Sequence, residues 1–150
     1  MVVVAIVAIL AALAAPSFTP LIERWRTRDA AESLTSAIYF ARSEAIKRGG
    51  GIAIDATGGW NQGWKVTHTL GGTTTDLQVS SALTKIATGS SNTKLYLDRW
   101  GMISSTDGGA PATVDIVLYP AGKTNTDSSA IRLCVGTGGR IAQKKQGAAC

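Results

Sequence analysis

The first charged residue is Glu23, and the run before it, MVVVAIVAILAALAAPSFTPLI, is apolar or small throughout. As a helix, residues 1–22 would span roughly 33 Å, about the thickness of a bilayer's hydrocarbon core. No polar face interrupts the run through Ala15, so it does not read as the half-buried helix of a small domain. Beyond Glu23 a helical period appears. Leu34, Ile38, Ala41 and Ala45 recur at spacings of four, three and four, while Arg28, Glu32, Ser36, Ser43 and Lys47 fall off that stripe. Arg28–Glu32 and Glu44–Arg48 are opposite charges one turn apart. Lys47 and Arg48 suit the negative helix end, and Gly49-Gly50-Gly51 stops the helix. Between the two stretches lies Pro16-Ser17-Phe18-Thr19-Pro20, which predicts a kink or a short melted segment. Thr19 is then the expected cap of a restarted helix, with Pro20 at its first position and Glu23 in its first turn.

A cleavable signal peptide is the competing reading of the opening run, with Ala12-Leu13-Ala14 as a small-residue cleavage site. Two features oppose it. No basic residue precedes the apolar stretch, and the sequence after it continues as a long amphipathic helix instead of starting a fresh domain.

After Gly49 the helical period does not return. Short β-rich runs appear at Gly51-Ile52-Ala53-Ile54, Trp64-Lys65-Val66-Thr67, Lys94-Leu95-Tyr96-Leu97, Val114-Asp115-Ile116-Val117-Leu118 and Ile131-Arg132-Leu133-Cys134, separated by Gly, Ser, Thr, Asn and Asp. The pattern predicts an α+β fold. Residues 1–22 form a hydrophobic segment and residues 23–150 a head, in which an amphipathic helix over 23–48 packs on an antiparallel sheet within 51–150.

The chain has 150 residues and a formal charge of +5, and the charge is uneven: residues 123–150 carry five Lys/Arg against one Asp/Glu. A mild basic bias allows an anionic partner without requiring one. Catalytic chemistry finds no support. His68 is the only histidine and has no Cys, Asp or Glu cluster beside it, so no metal site is expected. Ser91-Asn92-Thr93-Lys94 matches S-x-x-K without the companion motifs that pattern needs. Gly136-Thr137-Gly138-Gly139 lacks the Lys-Ser/Thr and the following helix of a phosphate loop, and reads as a hairpin turn between the Cys134 strand and an Arg140 strand. Trp60 and Trp64 read as core-edge residues in preference to a stacking platform. Neither an enzyme nor a cofactor is expected.

Three features together carry a family resemblance. They are the uncharged run ending near a proline, the helix ending Ala41-Arg42-Ser43-Glu44-Ala45-Ile46-Lys47-Arg48-Gly49, and the stretch Gly59-Trp60-Asn61-Gln62-Gly63-Trp64-Lys65-Val66. The chain resembles type IV pilin-like proteins of the GspH/FimT group, which comprises minor pilins and the H-type pseudopilins of type II secretion. Members carry a stretch like Phe-Thr-Leu-Ile-Glu-Leu before Met-Val-Val-Val, with a glutamate used in filament assembly and a processing site ahead of it; the sequence is expected to begin just after that stretch. The resemblance implies a single-pass inner-membrane anchor, a periplasmic head, and assembly with other pilins or pseudopilins through the N-terminal helix into a filament that reaches the cell surface.

A head outside the cytoplasm places Cys134 and Cys150 in an oxidising compartment, where two cysteines read as a bond. The bond would close a loop containing Gly139-Arg140-Ile141-Ala142-Gln143-Lys144-Lys145. Members implicated in taking up DNA carry Gly-Arg-x-Arg in this region. Gly139 and Arg140 match its first half, Ala142 replaces the second arginine, and Lys144 and Lys145 lie near enough to restore charge. The resemblance thus implies duplex DNA as a sequence-independent partner, met by Arg140, Lys144 and Lys145 with Arg132 and Lys123 as outer contacts. An ordinary solvated loop is the alternative.

Overall fold

The computed structural model of the chain describes residues 2–7, 18–145 and 148–150. Residues 2–7 are helical and exposed. The principal helix, α1, spans Thr19–Arg48. The residue before it, Phe18, is in αR conformation and makes no side-chain cap bond, so Thr19 is the first helical residue and not the cap. Pro20 supplies the reason: it brings no amide hydrogen to the first turn, which leaves one less donor for a cap to satisfy. Pro16 and Ser17, where the chain was expected to kink, lie outside the described residues, as does the Ala12–Ala14 cleavage motif. Residues 8–17, the middle of the expected membrane segment, lie outside them too, and no helix among the described residues is long and apolar enough to cross a membrane.

At its other end α1 stops as its residues dictate. Gly49 takes a left-handed conformation (φ 79°) and its amide donates back to the Ala45 carbonyl, while Lys47 and Arg48 occupy the last turn. Arg48 Nε donates to Glu44 at 2.6 Å, the expected one-turn pair. The Arg28–Glu32 pair does not form among the described residues.

Among the described residues nine strands follow: β1 Ile52–Asp55, β2 Lys65–Leu70, β3 Thr73–Val79, β4 Ile86–Gly89, β5 Lys94–Leu97, β6 Ile103–Ser104, β7 Val114–Pro120, β8 Ile131–Val135 and β9 Ile141–Lys145. They form two antiparallel sheets, ordered β3-β2-β1-β5-β6 and β4-β7-β8-β9. The single sheet expected from the sequence is therefore split. The helix accounts for it: Ala30, Ala31, Leu34, Ala37, Ile38, Ala41 and Ala45 form a stripe wide enough to pack on β1 and β5 of one sheet and on β4, β7 and β8 of the other. Five of its seven residues are alanine, so both sheets approach the backbone closely. They meet it with Ile52, Ile54, Leu95 and Leu97 from the first sheet and Val114, Ile116, Leu118, Leu133 and Val135 from the second.

Trp60 and Trp64 belong to this core, each 2% exposed, and Trp60 Nε1 donates to the Asn92 carbonyl at 2.7 Å. A short 3-10 turn, Trp60–Gln62, delivers them.

Candidate functional site

The second sheet ends in the β8–β9 hairpin. Its turn is closed by the Gly139 amide donating to the Gly136 carbonyl and the Gly136 amide donating to the Arg140 carbonyl, both at 2.8 Å, so the glycine cluster is a hairpin turn as expected. The register pairs Ile131 with Lys145, Arg132 with Lys144, Leu133 with Gln143 and Cys134 with Ala142. Leu133 and Val135 face the core, so Gln143 and Lys145 share the helix side of the sheet, while Arg132, Cys134, Ala142 and Lys144 share the outer side. Cys134 is bonded to Cys150, with Cα atoms 5.5 Å apart, and this ties the chain end across the outer face.

This geometry divides the residues that the sequence grouped together. Arg140 sits at the turn, and Lys144 lies about 13 Å away along the strand. Arg140 is exposed and in no ion pair among the described residues. Lys144 is half-buried and its ammonium donates to the Ala149 carbonyl at 2.5 Å, so it helps hold the chain end. Arg132 donates to Asp115 at 2.5 Å on the neighbouring strand. Lys123 reaches Glu23 of α1 at 2.6 Å and Asp127 at 3.5 Å. The Glu23 hydrogen bond, reinforced by the charges of Asp127 and Glu23, holds the Lys123 ammonium above its usual range. Asp127 lies below the usual range, chiefly because it accepts from the Ser129 amide. Lys123 and Arg132 are thus bound by the protein's own acids.

Sequence reasoning missed three cations that the fold brings to the site. Arg42 of α1 lies under the hairpin turn. A Cβ on Gly139 would approach its Cδ and Nη1 to 3.0 Å, and one on Gly101 would approach its Cγ to 2.7 Å. Both glycines have φ of 74°, so the Arg42 stem is clasped between two turns that require glycine.

The other two are Arg24 and Arg28, which with Ser128, Ser129, Gln143, Lys144 and Lys145 line an open groove of about 710 Å³ between α1 and the free edge of β9. Arg24, Arg26 and Arg28 are all exposed and in no ion pair among the described residues. A run of three arginines at alternate positions directly after an apolar stretch was the available signal. Beside them Phe18, Leu21, Ile22 and Trp25 are 55%, 51%, 46% and 65% exposed, and the described residues offer no cover for them.

His68 lies half-buried in β2, and no group of three or more metal-ligating side chains occurs among the described residues.

Comparison with known proteins agrees with this architecture. No curated protein matches the sequence significantly. A crystal structure of the type IV minor pilin FimU from Pseudomonas aeruginosa PAO1 superposes with a TM-score of 0.68 at 22% identity, covering 87% of this chain and 97% of that one. A second crystal form of FimU gives 0.64 at 22% identity, covering 82% and 96%. At that identity the likeness is one of fold: the long helix and its antiparallel head are those of pilins. The family model described as type II transport protein GspH matches residues 30–145, from the first buried turn of α1 to the end of β9. The chain therefore belongs to the GspH family, the GspH/FimT-type group of pilin-like proteins that serve as structural subunits, minor pilins or pseudopilins.

Proposed function

We propose that this protein is a minor type IV pilin, held in the inner membrane by residues 1–22 with its head in the periplasm, and then built into a pilus or its tip. The observation that carries this reading is the unpartnered apolar surface of Phe18, Leu21, Ile22 and Trp25 at the start of the same helix whose inward stripe is buried from Ala30 to Ala45. Such a helix has one half made for its own head and one half made for surroundings the chain does not supply. The fold likeness to a minor pilin over 87% of this chain supports the choice of filament. Its work is structural and adhesive.

The family description favours a second reading, an H-type pseudopilin of a type II secretion system. One experiment separates the two. Deleting the gene and scoring both sheared pili and secreted proteins should remove or shorten pili and leave secretion intact. Loss of secretion with normal pili establishes the pseudopilin instead.

The reading includes weak, sequence-independent contact with duplex DNA at the hairpin, through Arg140 and Lys145, with Lys144 adding charge. Arg132 and Lys123 are outer contacts whose own ion pairs limit what they give a phosphate. A few cations neutralise a few phosphates and read no bases, so the log–log salt slope should be about −2 to −3. Arg140 can grip a phosphate with two parallel hydrogen bonds, so Arg140→Ala should lower affinity most. An anisotropy titration at low salt with the Arg140→Ala/Lys144→Ala/Lys145→Ala protein is the test. Equal binding by both proteins, or by neither, removes DNA from the account.

A further inference from the structure

We infer that the groove between the start of α1 and β9 binds the phosphate headgroups of anionic phospholipids, docking the head on the membrane surface before the subunit enters a filament. This rests on the membrane-anchor reading above and assigns that anchor a polar counterpart.

The placement is specific. Residues 1–22 carry no charge, so the first polar groups beyond an inserted segment belong to the first turns of α1. There Arg24, Arg26 and Arg28 are exposed without ion-pair partners among the described residues; of the acids near them Glu23 is occupied by Lys123, and Asp29 and Glu32 stand outside the groove's lining. Arg24 and Arg28 are one turn apart on the helix and line the same groove. Across it stand Lys145 and Gln143 on the helix side of β9, with Ser128 and Ser129 between. Guanidinium, ammonium, amide and hydroxyl donors converge on an open space that no acidic side chain lines among the described residues. Arginine forks match phosphate oxygens two at a time.

Trp25 stands beside the two arginines, 65% exposed. A smaller recess beside it is lined by Arg24, Trp25 and Arg28 alone. An exposed indole flanked by arginines, just past an apolar segment, suits the bilayer interface, where ring and headgroup lie at one depth. Anionic lipid supplies the complementary charge. Nucleic acid would use the arginines but would leave Leu21, Ile22 and Phe18 in water; a lipid surface covers them as well.

The experiment uses the full chain in vesicles of phosphatidylcholine with a minority of phosphatidylglycerol, one of the two lipids brominated. The fluorescence lost in the Trp25→Phe protein isolates the Trp25 signal. At equal mole fraction, brominated phosphatidylglycerol should quench Trp25 about twofold more than brominated phosphatidylcholine, and salt should erase the preference. Arg24→Ala/Arg28→Ala should abolish the preference, whereas Arg24→Lys/Arg28→Lys should keep most of it, which excludes a folding defect. Equal quenching by both lipids in protein that floats with the vesicles overturns the headgroup site alone. Failure of the full chain to float with neutral vesicles overturns the anchor reading beneath it. Lipid-independent Trp25 quenching, together with duplex binding that the Ala variant loses, reassigns the groove to nucleic acid and overturns the inference.

Discussion

The two halves of α1 follow one helical path and differ in everything else. From Ala30 to Ala45 the inward positions are mostly alanine with Leu34 and Ile38, and all are buried under two sheets. From Phe18 to Arg28 the apolar residues are large, they stand exposed, and arginines alternate with them. Small residues let a backbone come close to sheets that are part of the same chain; large exposed ones wait for a surface that is not. The contrast teaches that apolar content alone does not locate a core. What locates it is whether the opposite layer exists in the chain.

The sharpest way to break the contrast is to truncate one large residue in each half. Leu34→Ala should destabilise the head by about 2–5 kcal/mol, because the site is fully buried and closed in by two sheets. Leu21→Ala should change the stability of the head negligibly, within about 0.5 kcal/mol. Denaturant melts of both proteins give the comparison, and similar losses would mean that the first turns also belong to the head.

The disulfide should rank close behind. Replacing Cys134 and Cys150 with serine frees a loop of 16 residues' separation and should remove about 3 kcal/mol, lowering the melting temperature by at least several degrees. Two reactive thiols in periplasmic protein would contradict the bond.

A smaller effect should come from Gly139→Ala. Its φ of 74° disfavours any side chain by about 1–2 kcal/mol, and the new methyl presses on Arg42. Pairing it with Arg42→Ala should relieve the contact and leave only the backbone strain, as a double-mutant cycle would register.

The smallest effects are electrostatic. Lys123 is raised by its hydrogen bond to Glu23, so what that pair contributes is present below the ordinary lysine value of 10.5 and is lost as pH rises through the higher folded value. At Asp55 burial opposes ionisation, but hydrogen bonds from Lys94 and Thr57 outweigh it and hold the carboxyl below its ordinary 3.8. Its contribution is present above 3.8 and is lost as pH falls through the lower folded value. Stability should therefore be flat near neutrality and decline at both extremes. Lys123→Met should blunt the alkaline decline and, by removing a charge that helps hold Asp127 low, soften the acid decline to a lesser degree, which a pH series of thermal melts would detect.

Much of the buried half was legible beforehand. The stripe through Leu34, Ile38, Ala41 and Ala45, the stop at Gly49 and the strand Lys94–Leu97 all announce themselves by local period and local capping. β3 did not, because Thr73–Val79 is exposed almost throughout and its first four residues are all polar. β4 and β6 are short and each has a single large apolar residue, Ile86 and Ile103, the rest being Ser, Thr, Ala or Gly. The site was legible in type more than in arrangement. Arg132 reads as a free cation until the fold sets Asp115, 17 residues earlier, beside it. Arg24 and Arg28 read as one polar helix face until β9 arrives opposite them. Long-range pairing decides which charges remain for a partner, and no local pattern reports it.

The most direct test of the central claim, that one half of α1 serves the head and the other an external apolar surface, is fractionation of two chains expressed to the periplasm. The full chain should sediment with membranes and leave them only in detergent. A chain beginning at Glu23, which keeps the whole buried stripe and the Glu23–Lys123 pair, should be recovered in the soluble fraction with a single cooperative melt. Full-length protein that is soluble and monomeric without detergent, or a Glu23 chain that fails to fold, would contradict the division.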